Sequence, residues 1–286
     1  MEREQALRRY YRALRAAWGP QNWWPARTQF EVIAGAFLTQ NTAWSNVERA
    51  LQAMRRAGVL SVAGVRRTPR PRLERLIRSA GYFRQKAQRL KNFVRHVDER
   101  YGGSLARMFA RPTAALRAEL LALDGIGPET ADSILLYAGG HASFVVDAYT
   151  HRILERHRII GKKWRYEQIR ELFQRAMVQD QVTSPQGLRP ESVVDLNGPT
   201  KVGLLRRPRG TLSGNSKLEA RNSRLRPRKY EAPNASATAQ VYNEYHALLV
   251  RVGKHHCKKK RAECLGCPLE PFLPPRRGSA APGRGI

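Results

Sequence analysis

Residues 121–152 read LALDGIGPETADSILLYAGGHASFVVDAYTHR, and this stretch decides the fold. Gly125 and Gly127 flank Ile126 between two runs whose apolar residues have helical spacing. Glycine tolerates positive φ and admits close approach of another backbone, so the pair marks a tight turn between two helices. Pro128 suits the first turn of the second helix, where an N–H has no intrahelical partner. The free N–H groups of that turn face outward, and with the helix dipole they make a place for a phosphate. Contact of that kind fixes register on a nucleic acid without reading its sequence. Gly139, Gly140 and His141 close the second helix. A short apolar run, Phe144-Val145-Val146, then leads directly into Asp147.

On either side of this stretch apolar residues recur at three and four positions. The spacing predicts helices over residues 4–18, 30–38 and 44–56, the last with Val47, Ala50, Leu51 and Met54 on one face. Further helices are predicted over 73–78, 84–101, 113–122, 128–138, 150–157 and 166–178. Val65 to Pro71 reads as a basic, proline-marked connection, and Gln21 to Ala26 as a loop. Period-two alternation is almost absent, so the expected fold class is all-α. Residues 181–238 are rich in Arg, Pro, Gly, Ser and Asn and lack periodicity. They read as a disordered basic insertion. Helical character resumes at Val241, and a low-complexity tail, expected to be disordered, occupies 274–286.

The chain has 286 residues, with 52 Lys and Arg against 23 Asp and Glu, a formal net charge of +29. Such an excess opposes compaction unless a polyanion screens it, which makes nucleic acid the leading partner and an anionic membrane surface the rival. No apolar run approaches the ~20 residues of a membrane span, and no membrane partner is expected. The first residues lack the apolar region of a secretory signal. Met1 to Trp18 is Arg-rich and amphipathic in the manner of a transit peptide, but Glu2 and Glu4 oppose that reading. All three cysteines lie between Cys257 and Cys267, which is a pattern for a reducing compartment and a metal site rather than a disulfide framework.

The pattern Leu-x-Gly-Ile-Gly-x-x-Thr-Ala, an apolar helix, then Val-Asp-x-x-x-x-Arg, here Leu123 to Ala131 and Val146 to Arg152, resembles the helix-hairpin-helix DNA glycosylase superfamily typified by endonuclease III. The resemblance covers about residues 4–180 and 239–273. It implies a two-domain all-α fold: a six-helix-barrel-like domain over 29–139 with the hairpin, and a discontinuous domain from 1–28 and 140–273. DNA would lie across the cleft between them. The hairpin residues Gly125, Ile126, Gly127 and Thr130 would bind DNA. Asp147 would be the essential acid. Breaking an N-glycosidic bond develops oxocarbenium character on the sugar, which a fixed carboxylate stabilises. The same carboxylate can orient or deprotonate the attacking water. The target base must first leave the helix stack, at least cost when it is damaged.

In endonuclease III a lysine of the hairpin forms a Schiff base with the sugar. That position here is Glu129, which cannot form an imine, and no lysine lies between Lys91 and Lys162. The departure implies a monofunctional enzyme that uses water. Its rivals are a bifunctional glycosylase/lyase drawing on Lys162 or Lys163, and a non-catalytic binder of DNA structure. Glu129 itself reads as a solvated first-turn residue favoured by the helix dipole.

Trp23-Trp24-Pro25, followed by Leu38 to Trp44, resembles the bacterial 3-methyladenine glycosylases of the same superfamily. It implies a base pocket in which Trp23 and Trp24 stack on the flipped base, with Pro25 and Trp44 lining it; an electron-poor alkylated base gains most from aromatic faces. Gln40 matches the position whose side chain enters the gap left by the flipped nucleotide, with Asn41 beside it. Ser79 to Ala87 matches a family turn near DNA, so Gly81, Arg84 and Lys86 are candidate phosphate contacts, a solvated basic face being the alternative for the last two.

Cys257, Cys264 and Cys267 match the spacing of the first three ligands of the endonuclease III [4Fe–4S] cluster, but the fourth position holds Leu273. Such a cluster normally takes four thiolates. The sequence therefore reads either as a vestigial or labile loop, the favoured expectation, or as a [4Fe–4S] cluster with an unusual ligand such as His255 or His256, and the chemistry itself needs no cofactor. His255, His256, Lys258 to Lys260 and Arg261 make the loop basic in either case. The whole reading is of a base-excision-repair glycosylase for damaged, alkylated bases in double-stranded DNA. It is expected as a monomer in the bacterial cytoplasm.

Overall fold

The structure, a computed structural model, describes residues 1–21, 26–177, 230–233 and 235–274. The expected insertion at 181–238 lies outside the described residues except for its last few, and the tail outside them except for Pro274. Among the described residues helices dominate, and the one bridge between extended segments pairs Cys257 with Ala262. The all-α fold class is thus observed. No described helix is long and apolar enough to cross a membrane.

Twelve helices organise the described chain. They are α1 (Glu2–Trp18), α2 (Gln29–Leu38), α3 (Trp44–Arg56), α4 (Val62–Arg67), α5 (Arg70–Leu76), α6 (Phe83–Tyr101) and α7 (Leu105–Phe109), then α8 (Thr113–Leu121), α9 (Pro128–Ser133), α10 (Ala148–Arg156), α11 (Tyr166–Met177) and α12 (Ala237–His255). A short 3₁₀ turn, Arg78–Ala80, precedes α6. A single π turn, Ile134–Ala138, extends α9, with Gly139 N–H reaching back to Ile134 O at 3.1 Å.

Each start has a local cause. Thr28, Ser61, Ser104 and Ser236 cap α2, α4, α7 and α12 by accepting a backbone N–H of the first turn. Pro112 and Pro69 precede α8 and α5, where φ near −60° is already set. Gly102, in the left-handed region at φ 55°, ends α6. The stretch read as a connection around Val65 is instead α4. It is too short to show a period, and the Ser61 cap and buried Gly64 and Val65 fix it. α7 is likewise a five-residue helix with only Met108 buried.

The helices pack in two sets. α1 lies on α11 and α12, and α10 lies on α12. α2 meets α3, α6, α9 and the π turn, α6 also takes α4, α5 and α7, and α8 packs on α9. α2 is the centre of the second set: Phe30 through Leu38 are all buried, so it has no polar face. α12 touches the π turn, which joins the sets. That contact sits between the hairpin and Asp147. It brings α12 to both.

Candidate active site

The hairpin is where the sequence places it. Gly125 has φ 77°, which a side-chain-bearing residue rarely adopts, and a Cβ there would run into the Arg89 side chain. Gly127 ends the turn as the residue before α9; nothing lies within 4 Å of the Cβ it lacks, and no side chain caps α9. The first-turn N–H groups of α9 thus have an open approach. Ile126 points inward and is buried, as is Thr130.

Gln40 serves the hairpin from α2's end. Its Nε2 donates to Gly125 O at 3.0 Å and to Thr130 Oγ1 at 2.9 Å. Its Oε1 accepts from Arg89 Nη1 at 2.8 Å. The amide is engaged at both ends, so entry into a DNA gap requires breaking these bonds first. Arg89 was not read as functional from sequence. It is one more cation on α6, and only the fold lays it across Gly125.

Lys86 requires a correction. It was expected to reach phosphate, but its side chain is 1 % exposed. Nζ donates to Leu38 O at 2.8 Å and Ala80 O at 2.7 Å. Burial, with Arg89 nearby, pushes the ammonium down to about 8. Lys86 ties the end of α2 to the 3₁₀ turn. Arg84 is exposed, its guanidinium 5.5 Å from the Phe83 ring centroid. Gly81 at φ 65° and Tyr82 at φ 45° form the turn before α6, with Tyr82 largely exposed. Asn41 is exposed at φ 53°. Trp44 is half-buried and donates Nε1 to Glu48 at 2.9 Å. Trp23, Trp24 and Pro25 lie outside the described residues.

Asp147 is the residue before α10 and caps it. Its Oδ1 accepts from Thr150 N at 2.8 Å and from Thr150 Oγ1 at 3.0 Å. Its Oδ2 lies 3.5 Å from His246 Nε2 of α12. The other ring nitrogen, Nδ1, is 2.5 Å from the Tyr137 hydroxyl of the π turn. Burial pushes the Asp147 carboxyl up, but the imidazole and the Thr150 donors outweigh it and hold it below its ordinary range. His246 and Tyr137 escaped sequence reading because each is an unremarkable residue inside an apolar helical run, far from Asp147 along the chain.

Glu129, on the first turn of α9, is exposed at its surface, yet it is not an ordinary solvated carboxylate. Desolvation by the surrounding protein and the charge of Asp147 push it up to about 7, His246 opposing. Two carboxyls therefore share one electrostatic environment and diverge: Asp147 is kept ionised, and Glu129 holds a proton near neutrality.

A buried network joins the hairpin helix to the Asp147 segment. Asp132 of α9 is fully buried. It takes Arg117 Nε and Nη2 at 2.8 and 3.0 Å, the Ser143 hydroxyl, and Tyr166 OH at 2.8 Å. Val146 N–H in turn donates to Tyr166 OH at 3.4 Å. α8, α9, α11 and the residues just before Asp147 are bound through one carboxylate.

The cysteine loop follows α12. Arg152 Nε donates to Cys257 O at 2.7 Å, and Arg156 donates to Cys257 Sγ at 3.3 Å, Lys258 O at 2.8 Å and Lys259 O at 3.1 Å. His256 stacks on Trp18 at 5.9 Å. Burial pushes the Cys267 thiol up, and the neighbouring Cys264 and Cys257 add to it, which opposes a thiolate. Among the described residues no group of three or more His, Cys, Asp or Glu could hold a metal ion. With Leu273 in the fourth place, the donor set does not fit a tetrathiolate cluster. Two arginines of α10 hold the loop instead. Lys162 and Lys163 are exposed in the turn between α10 and α11.

The family described as HhH-GPD superfamily base excision DNA repair protein matches residues 34–178, which include the hairpin, Glu129 and Asp147. A Methanocaldococcus jannaschii protein, named provisionally as a DNA repair glycosylase, is 35 % identical over 270 residues, covering 94 % of this chain and 96 % of its own. Endonuclease III of Thermotoga maritima is 31 % identical over 44 % of this chain and 55 % of its own. Among solved structures, H. pylori 3-methyladenine DNA glycosylase bound to 1,N6-ethenoadenine superposes with TM-score 0.60 at 22 % identity, covering 87 % of this chain and 97 % of its own. A trapped endonuclease III–DNA covalent intermediate gives 0.62 at 16 %, over 93 % of each. At those identities the superpositions speak for the fold.

Proposed function

This chain belongs to the HhH-GPD superfamily of base excision DNA repair proteins, and from that premise we propose that it is a monofunctional DNA glycosylase that hydrolyses the N-glycosidic bond of a flipped, alkylated base. The observation that carries the reading is Asp147. It is a carboxylate held ionised beside the hairpin, with Oδ1 pinned by Thr150. An anion in that position stabilises the positive charge that grows on the sugar as the base departs. It also orients or deprotonates the water that completes the reaction.

Duplex DNA lies across the groove between the two helix sets. A phosphate sits at the Gly127 end of α9, where the free N–H groups and the dipole receive it. Arg84 adds an exposed cation at the start of α6. Trp23, Trp24 and Pro25, with Trp44, supply the stacking faces that favour an electron-poor base. The name of the H. pylori relative supports an alkylated substrate; that of endonuclease III supports the wider glycosylase class.

Water, not an amine, is the nucleophile because the hairpin position that could form an imine is a carboxyl group, Glu129. Being half-protonated near neutrality, Glu129 also puts less negative charge beside the DNA backbone than an ordinary glutamate.

The test is base release from alkylated duplex DNA by Asp147→Asn. The variant is expected to bind abasic-site DNA and to lose release by ~10³-fold or more. Full release by the variant overturns the assignment. A covalent adduct trapped by borohydride with the native protein overturns the monofunctional part alone.

A further inference from the structure

The Asp147 carboxylate has two oxygens with different surroundings. Oδ1 receives both donors of Thr150, the N–H at 2.8 Å and the hydroxyl at 3.0 Å. Oδ2 faces His246 Nε2 at 3.5 Å. His246 is 5 % exposed, and its Nε2 is one of two buried side-chain polar atoms, among the described residues, without a hydrogen-bond partner. Leaving a buried polar atom unsatisfied is costly, so its surroundings call for an explanation.

The far side of the ring says what that nitrogen carries. Nδ1 lies 2.5 Å from the Tyr137 hydroxyl. Two arrangements are open to a neutral imidazole. If Nδ1 held the proton, Nε2 would turn a lone pair toward a carboxylate in a buried site, which is repulsive. If the Tyr137 hydroxyl donates to Nδ1, the proton resides on Nε2 and points at Oδ2. Only the second is attractive, so the carboxylate selects it, and the Tyr137 hydroxyl, able to donate, satisfies Nδ1 in that tautomer.

The other groups around the ring leave this arrangement undisturbed. Phe144 lies edge-on to the ring at 6.4 Å and brings no charge. From α9 comes Glu129, whose carboxyl feels His246 but is largely protonated below about 7. From the π turn comes Tyr137 and from the start of α10 comes Asp147.

We propose that His246, oriented by Tyr137, is a positioning residue for Asp147: its Nε2–H holds Oδ2, so that one lone pair of that oxygen is left aimed at the reacting sugar and its water. At 3.5 Å the contact is electrostatic and long for a hydrogen bond, as catalytic contacts often are before substrate binds. With Oδ1 doubly engaged and Oδ2 held on one side, the carboxylate cannot rotate, and it stays ionised. The inference rests on the glycosylase reading of Asp147.

The experiment is single-turnover base release from alkylated duplex DNA across pH, with the full chain. Asp147→Asn is run first. If it releases base at the native rate, the reading of the site falls, whatever His246 does. If it is inactive, His246→Phe and His246→Gln are compared. Phe keeps the ring's volume but no donor; Gln puts an amide N–H near the Nε2 position. His246→Phe is expected to slow release ~10-fold or more and to move the acidic limb of the profile up by ~1 pH unit, because Asp147 protonates more easily without its donor. His246→Gln is expected to recover most of the rate and the native limb. Tyr137→Phe is expected to fall between them, since it loosens the tautomer without removing the ring. Melting curves and affinity for abasic-site DNA check that each variant is folded. A folded His246→Phe with the native rate and limb overturns the proposal. So does an equal slowing of Phe and Gln variants with an unmoved acidic limb, which is the mark of packing alone.

Discussion

Glu129 stands on the first turn of α9, where a carboxylate ordinarily benefits from the dipole, yet its surroundings push it up to about 7. Its folded value lies above the unfolded one, so the stability it contributes is full below about 4.5 and is lost as pH rises through about 7. Glu129→Gln removes that loss. Its melting temperature is expected to exceed the native one at pH 8 and to converge with it near pH 4, and thermal denaturation at the two values checks this. Glu129→Lys makes the complementary case. An amine in that place is expected to yield a borohydride-trapped adduct with lesion DNA, and the native chain is expected to yield none. An adduct-free but otherwise active Lys variant defeats the claim that this position sets the nucleophile. Lys86 shows the converse lesson. Read as a phosphate contact, it is buried between Leu38 O and Ala80 O. Lys86→Met leaves two carbonyls unsatisfied and is expected to cost about 1–3 kcal/mol in denaturant unfolding. The salt dependence of DNA binding should not change. Arg84→Ala should do the opposite, lowering the slope of log K against log salt by about 1 with native stability.

Between elements, close approaches set the site. α12 meets α10 at Gly253, where an added Cβ would overlap Cβ and Cγ of Tyr149 at 2.7 and 2.6 Å. Neither atom is the free end of a flexible chain. Gly253→Ala therefore pushes the helices apart on the face that carries His246 toward Asp147. It is expected to destabilise the protein and to slow base release more than it weakens binding to abasic-site DNA; loss of binding with an unchanged rate of release from the bound complex would count against this geometry. The Asp132 network has the same standing on the hairpin side. Arg117→Met strands a buried carboxylate, and a cost of about 3–5 kcal/mol is expected from equilibrium unfolding. Helices with a clear stripe, such as α3 with Val47, Ala50, Leu51 and Met54, were legible from spacing alone. α4 and α7 were not. Helices of five or six residues carry too few apolar positions to show a period, and they exist because a serine caps them and α6 receives them.

Across the whole molecule, a net charge of +29 opposes compaction and favours a polyanion nearby. The cysteine loop is held by protein groups alone in this structure. Arg152 and Arg156 bind the carbonyls and the Cys257 sulfur of the loop, so no cluster is needed to hold it. The purified chain is expected to lack iron and visible charge-transfer absorption. Metal analysis decides it, and four irons per chain would refute the vestigial reading.

The amino-acid sequence by itself determined the helical class, the Gly125–Gly127 turn and an acid, Asp147, at the start of a helix. Those features are local: a period of 3.6, two glycines where φ must be free, and one acid at a helix start. Only the tertiary structure decided what surrounds them. It set Gln40 and Arg89 on the hairpin, buried Lys86, raised Glu129 and brought His246 with Tyr137 to Asp147. The physical reason is that protonation and orientation depend on desolvation and on neighbours a few ångströms away. Such neighbours come from helices far apart in the chain, and no spacing rule within one helix contains them.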